Sequence, residues 1–153
     1  MNKAAKLAPE LITQMTGWRH DFHRHPELGF AEKRTSARVA SLLESFGIEV
    51  HRNIGKTGVV GILQRGNGPG SIAFRADMDA LPITETGTPE WVSAHDGAMH
   101  ACGHDGHTAM LLGAACHLAA AGDFSGRIIF IFQPNEEHGP VSYTHLTLPT
   151  TDR

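Results

Sequence analysis

The sequence predicts an α/β protein, part of a three-layer domain in which helices flank a mixed, largely parallel sheet. Two amphipathic stretches come first along the chain, and three short β-like runs follow them. A helix rich in Ala, Leu and Gly then leads into a strand that is apolar throughout. At 153 residues, the chain is long enough for one domain with a hydrophobic core.

The first two elements are predicted helices because their apolar residues recur every three or four positions. The first covers residues 7–25, and the second covers residues 31–46. Gly47 follows the second helix at the position where glycine commonly ends one. The stripes of apolar residues are Leu7, Leu11, Met15, Trp18 and Phe22 in the first helix, and Val39, Leu42, Leu43 and Phe46 in the second.

Short strands are predicted next, over residues 48–51, 59–63 and 72–74. The glycine cluster at 66–70 indicates a turn, since it lacks the GxGxxG spacing and no helix follows it to bind a phosphate. A long polar loop is expected over residues 75–103, and long loops in small domains are often functional.

The third helix is predicted over residues 105–120, where small side chains indicate close packing against the sheet. Gly122 lies near its expected end. Residues 127–133 are almost continuously apolar, which is typical of a strand buried on both faces.

Composition narrows the classes of function. The net charge of −3 argues against general nucleic-acid binding, and 41% hydrophobic with 19% charged residues argues against disorder. No targeting segment or membrane-length apolar run is visible, so we expect a cytoplasmic protein that binds no membrane. Eleven histidines among 153 residues direct the search towards metal and acid–base chemistry.

The strongest local motif is His-Ala-Cys-Gly-His-Asp-Gly-His over residues 100–107, at the start of the third helix. A bend at Gly103 would aim Cys102 and His104 at one ion, and thiolate with imidazole suits metals such as Zn, Co or Mn. Asp105 stands where a carboxylate would cap the helix. The alternative is a buried cysteine beside solvated histidines.

A second motif, Gln-Pro-Asn-Glu-Glu-His, directly follows the apolar strand at 133–138. Sites in α/β sheets form at the carboxyl ends of strands. Because adjacent residues in extended backbone face opposite ways, one glutamate could bind a metal while its neighbour reaches a water molecule. An ordinary acidic loop is the alternative.

Two further segments carry polar side chains. Asp77 and Asp79 follow the third strand and could bind a metal or orient a ligating histidine, or form a solvated turn. The histidines His23 and His25 are interpreted as packing or helix-end residues because Pro26 ends the helix there. No nucleophile elbow, HExxH motif or Walker loop is present.

Taken together, five blocks of the sequence resemble the M20 metallopeptidase family, in the amidohydrolase branch of hippurate and N-acyl-amino-acid hydrolases. They are WRHDFHRHPELGF at 18–30, TGVV at 57–60, RADMDALP at 75–82, HACGHDGHT at 100–108 and QPNEE at 133–137. The resemblance implies an α/β peptidase domain interrupted by a smaller lid domain, which often forms a homodimer.

The resemblance also assigns roles. It implies that Cys102, His104 and Glu137 bind metal, that Glu136 is the general base, and that Asp79 is an orienting carboxylate. Asp77 stands where other branches carry a ligating histidine. The implied cofactors are two divalent ions, of Mn, Zn, Co or Ni, and the implied substrate is a small N-acyl amino acid such as hippurate.

The resemblance stops near Gly139, although the family draws two more histidine ligands from later regions. We therefore expect residues 1–140 to be the N-terminal part of the peptidase domain, without lid or C-terminal half. Residues 141–153, rich in threonine, are expected to be a non-native tail, or else a short edge strand. The expected function is amide hydrolysis by the parent family, with this chain truncated and inactive; the alternative is a non-catalytic fragment or a weak metal-binding module.

Overall fold

The computed structural model describes residues 7–137, so the expected tail at 141–153 lies outside the described part of the chain. All seven predicted elements are present, with ends that differ slightly from the predicted ones. They are α1 (Pro9–Arg24), α2 (Lys33–Ser45), β1 (Glu49–Ile54), β2 (Gly58–Arg65), β3 (Ser71–Asp77), α3 (His104–Ala121) and β4 (Gly126–Gln133).

The four strands form one mixed sheet in the order β1-β2-β4-β3. The α/β class with flanking helices is confirmed, but the expectation of a largely parallel sheet is wrong for residues 7–137. Only β3 and β4 run parallel, while β2 is antiparallel to both β1 and β4. The turn at 55–57 is too short for a crossover, which forces β1 and β2 into a hairpin. Only the long connection through α3 allows a parallel pair.

The core lies between the sheet and the helices. α2 and α3 pack on the sheet, and α1 packs mainly on α3. The largest fully buried apolar side chains are Phe22, Phe130, Phe132, Leu43, Met78 and Leu112. Each such side chain stabilises the fold by about 1.5–3 kcal/mol relative to an exposed one.

α3 packs on the sheet as expected, and one of its small residues, Gly113, also serves a contact with α1. A Cβ atom at Gly113 would lie 2.4 Å from Sδ of Met15 in α1. This glycine therefore allows α1 to approach α3 closely. α1 is thereby held against the helix that begins at the candidate site.

β3 is an edge strand among residues 7–137 and exposes Ile72 and Phe74. Met110 of the neighbouring helix α3 is also exposed. A free edge with apolar side chains is a ready pairing surface for a further strand. Within the described part of the chain, no helix is both long enough and apolar enough to cross a membrane.

The segment 78–103 connects β3 to α3 and is fixed at several points. Its base is closed by two backbone hydrogen bonds of 3.0 Å between Leu81 and Met99. Its outer part is held on α1 by a 2.8 Å bond from the Ala94 N–H to the Arg24 carbonyl and by a stack of the Trp91 ring on that of His20. The Leu81–Met99 pairing thus brings the residues that follow β3 close to those that precede α3.

Candidate metal centre

Three side chains predicted as ligands come together at the carboxyl end of β4. Cys102, His104 and Glu137 each place one potential ligand atom in a cluster, and these three atoms all lie within 4.8 Å of one another. His104 Nε2 is 3.8 Å from Glu137 Oε1. A tetrahedral ion with ligand bonds of 2.0–2.3 Å would place its ligand atoms roughly 3.3–3.8 Å apart. Only a small adjustment would therefore close the three donors around one cation.

The local backbone explains why Cys102 and His104 face the same point. Gly103 between them has φ 85°, a left-handed conformation that costs glycine little. It is also the N-cap residue of α3, so His104 is the first residue of the helix. The chain turns sharply at this glycine, which lets a thiol and an imidazole only two residues apart converge.

His104 is oriented by Asp79. Its Nδ1 donates to the Asp79 carbonyl at 2.9 Å and lies 3.3 Å from the carboxylate oxygen Oδ1. The other ring nitrogen, Nε2, is left to face Glu136 and Glu137. The contact with the Asp79 carboxylate raises the pKa of His104 to about 9. A metal ion would therefore have to displace a proton from Nε2.

Asp79 is buried and contacts two of the three candidate ligands. Its Oδ2 accepts a 2.9 Å hydrogen bond from the backbone N–H of Glu137. Burial raises the pKa of Asp79, but the contacts with His104 and the backbone N–H groups of Glu137 and Glu136 outweigh it, and the pKa is lowered overall. An ionised Asp79 is thus placed to fix both His104 and Glu137, as an orienting carboxylate would be.

The two glutamates do not point in opposite directions as expected. Glu136 Oε2 and Glu137 Oε1 lie 3.9 Å and 3.8 Å from the same nitrogen of His104. The expectation assumed extended backbone, whereas Asn135 has φ 54° and the chain turns after β4. Both carboxylates therefore face one point, which leaves Glu136 beside the three-donor cluster.

The donor set fits a divalent cation. Glu137 Oε1 is buried without a hydrogen-bond partner among the described residues. The neighbouring Glu137 carboxylate raises the pKa of Cys102, and burial and the charges of Glu136 and Asp79 raise it further. Several carboxylates around a thiol form a negative environment that a cation would neutralise. Sulfur, imidazole and carboxylate donors together suit zinc and similar ions.

Asp77 belongs to a second group of possible ligands, with His104 and His107. Its carboxylate is 3.0 Å from the guanidinium of Arg75, with which it forms an ion pair. The second group shares His104 with the first, and Asp79 already occupies one of the two nitrogens of that ring. Because the two groups share His104, they are not two independent sites.

Asp105 does not cap α3 as expected, because Gly103 is the N-cap and Asp105 lies in the first turn. Its Oδ2 is instead 2.9 Å from His23 Nδ1 and 3.2 Å from Arg19 Nε. The second nitrogen of His23 is 3.3 Å from Glu85 Oε1 in the 78–103 segment. His23, interpreted from sequence as a packing or helix-end residue, is thus a buried link between that segment and the start of α3.

His100 is buried, and neither of its ring nitrogens has a hydrogen-bond partner in the described region. Burial lowers the pKa of His100 to about 4, although the charge of Asp105 acts in the opposite direction. Burial therefore disfavours the charged form of this imidazole, whose ring centroid lies 6.4 Å from that of His23. Its position within the 100–107 motif was the only available signal, and that motif alone did not separate it from a solvated histidine.

Known proteins resemble this chain in sequence and in fold. A profile of peptidase family M20/M25/M40 matches residues 73–148. The hippurate hydrolase of Campylobacter jejuni is 52% identical over 134 residues, which cover 86% of this chain and 35% of that protein. The chain belongs to peptidase family M20. The family resemblance found in the sequence is thereby confirmed.

Two further proteins are similar to this chain. An N-acyl-L-amino acid amidohydrolase of Geobacillus stearothermophilus is 49% identical over 138 residues, which cover 88% of this chain and 37% of that protein. A dinuclear metal binding peptidase of the M20 family from Bacillus subtilis superimposes with a TM-score of 0.79 at 42% identity, over 86% of this chain and 37% of that one. The M20 chain described here thus spans about a third of the length of these relatives.

Proposed function

We propose that this chain carries part of the metal centre of an amidohydrolase that cleaves the amide bond of N-acyl amino acids. One observation carries the proposal: Cys102, His104 and Glu137 converge within 4.8 Å. The similarity to a hippurate hydrolase and to an N-acyl-L-amino acid amidohydrolase supports this class of substrate.

The residues divide the work of hydrolysis. A bound divalent ion supplies Lewis acidity, which polarises an amide carbonyl and makes water a stronger acid. Cys102, His104 and Glu137 would hold the ion, and Asp79 would keep His104 oriented through Nδ1. Glu136, 3.9 Å from His104 Nε2, would accept the proton of the attacking water and then donate it to the leaving amine.

The number and kind of ions extend the proposal. The Bacillus subtilis relative is described as dinuclear, which supports two divalent ions in the longer protein. Three donors from this chain can serve one ion at most, so further ligands would come from elsewhere. The donor types favour manganese, zinc, cobalt or nickel. The same proposal includes a homodimer of the longer protein. It also includes a cytoplasmic location, where the free Cys102 and Cys116 would stay reduced.

A second candidate function is a weak, non-catalytic metal-binding module. It is favoured by the three-donor set and by coverage of only about a third of the relatives. Both candidates require the same metal cluster. They differ in whether Glu136 has a bound substrate to act on.

Hydrolysis of hippurate by the purified chain separates the two. The chain is incubated with manganese, cobalt or zinc, and glycine release is measured for wild type, Glu136→Gln and the surface control Glu10→Gln. Metal-dependent turnover that is lost only in Glu136→Gln, with metal binding retained, supports the hydrolase. Metal binding without turnover supports the module for this chain. Turnover that survives in Glu136→Gln removes the proposed base.

A further inference from the structure

We propose that Glu32 is a positioning residue that holds the Glu136–Glu137 pair in place opposite Cys102 and His104. The inference rests on the proposed function, because it assigns Glu32 a part in building that metal centre. Glu32 contacts none of the three candidate ligands directly. It acts through the backbone of the residue that precedes the glutamate pair.

Glu32 is fully buried at the start of α2, yet both of its carboxylate oxygens are partnered. Oε1 accepts a 2.9 Å hydrogen bond from the backbone N–H of Asn135, and Oε2 accepts a 2.6 Å bond from the hydroxyl of Thr57. A carboxylate is unfavourable in a core unless it is partnered in this way. The N-terminal end of a helix favours a negative charge, which further suits this position.

Asn135 is held from two sides. Its backbone is left-handed, with φ 54°, a conformation that asparagine adopts more readily than most residues. Its side chain lies against Gly29, where an added Cβ atom would be only 2.0 Å from Asn135 Oδ1. The segment that carries Gly29 and Glu32 is itself tied to the site, since the Glu27 carbonyl accepts a 2.9 Å bond from the Ala80 N–H.

The backbone N–H groups of the two residues on either side of Glu136 are therefore held by buried carboxylates. Glu32 holds the N–H of Asn135, and Asp79 Oδ2 holds the N–H of Glu137, each at 2.9 Å. Asp79 also contacts His104, so its loss would disturb the site in two ways. Glu32 has no such second contact with the ligands, which makes it the cleaner probe of loop position.

Glu32→Met is the informative variant, because methionine fills a similar volume but offers no strong acceptor. Replacing a buried charge by an apolar group of similar size often leaves stability unchanged or higher. Glu32→Gln is the conservative rescue: its carbonyl can accept from the Asn135 N–H while its amide donates to the Thr57 hydroxyl. Thr57→Val is the matched control, which removes one bond to Glu32 but leaves Asn135 held.

The test combines cobalt affinity by calorimetry, amide hydrogen exchange by NMR, and thermal unfolding. In Glu32→Met we expect exchange to accelerate at Asn135 and Glu137 but not at Leu112 in the core. Cobalt affinity should fall by about tenfold or more, the scale seen when groups that orient metal ligands are lost. Glu32→Gln and Thr57→Val should stay close to wild type in both measurements.

Unchanged cobalt affinity in a folded Glu32→Met protein would overturn the proposal. If Glu32→Met does not fold, Gly29→Ala replaces it, because the added Cβ displaces Asn135 without touching Glu32. Cobalt affinity should fall in Gly29→Ala too, and unchanged affinity counts against the inference. If the wild-type chain binds no cobalt, the proposed metal centre fails by itself. The positioning role of Glu32 is then tested by amide hydrogen exchange alone. Unchanged exchange at Glu137 in Glu32→Met would contradict that role.

Discussion

Asp79→Asn is the substitution whose effect follows most directly from the geometry. Asp79 Oδ2 accepts the Glu137 N–H at 2.9 Å, and Oδ1 faces His104 Nδ1 at 3.3 Å. An asparagine has one oxygen, so in either orientation its amide NH₂ group faces one of these N–H donors. The substitution therefore replaces one attractive contact by a repulsive one and removes the charge beside His104.

The size of the effect can be worked from these contacts. A hydrogen bond to a charged group contributes about 1.5–3 kcal/mol, and part of this loss is offset because a neutral amide is less costly to bury. A net loss of about 2 kcal/mol corresponds to roughly 30-fold weaker metal binding. This lies within the range of about 10- to 100-fold found for groups that orient metal-bound histidines.

The assay is calorimetric titration of the purified chain with cobalt or zinc. Asp77→Asn is the control, because Asp77 pairs with Arg75 and belongs to the competing ligand group with His107. We expect Asp79→Asn to bind about 30-fold more weakly and Asp77→Asn to bind almost as well as wild type. Wild-type affinity in Asp79→Asn, with a loss in Asp77→Asn, would refute the reasoning and move the site to the second group.

Two further predictions concern the backbone and pH. Gly103→Ala places a Cβ on a residue with φ 85° and should destabilise the chain by about 1–2 kcal/mol in urea unfolding; no loss would show that α3 can begin without the left-handed turn. His100, which faces Asp105, Asp79, His23 and His104, has a folded-state pKa of about 4 against 6.5 in the unfolded chain. The stability associated with its neutral form is present above pH 6.5 and lost as pH falls through 4, up to about 3 kcal/mol. In the presence of a chelator, His100→Phe should remove that part of the loss of stability in acid. The free energy of unfolding is measured against pH, and parallel profiles for the variant and wild type would contradict this.

The positions of helices and strands were predictable because they depend on local periodicity. The run over residues 127–133 identified β4 through its own apolar residues. Its partners were not predictable in the same way. β4 inserts between β2 and β3, far from both along the chain, and so the direction of pairing depends on the whole topology.

The candidate site likewise contains residues that the local sequence identified and residues that it missed. Cys102 and His104 lie two residues apart on either side of a glycine, so one short motif identified both. Glu32 and His23 were missed because their partners are distant: Asn135 is 103 residues from Glu32, and Asp105 is 82 residues from His23. Glutamate is mostly exposed in proteins and histidine is intermediate, and only the folded chain shows that these two are buried and partnered.

Cobalt spectroscopy tests most directly whether Cys102, His104 and Glu137 share one ion. Thiolate bonded to Co²⁺ gives a ligand-to-metal charge-transfer absorption, so the wild-type chain should show this band on titration. The band should vanish in Cys102→Ser and persist in Cys116→Ser, whose sulfur lies within α3 and outside the cluster. A band that survives in Cys102→Ser, or its absence from wild type while cobalt still binds, would contradict the shared site.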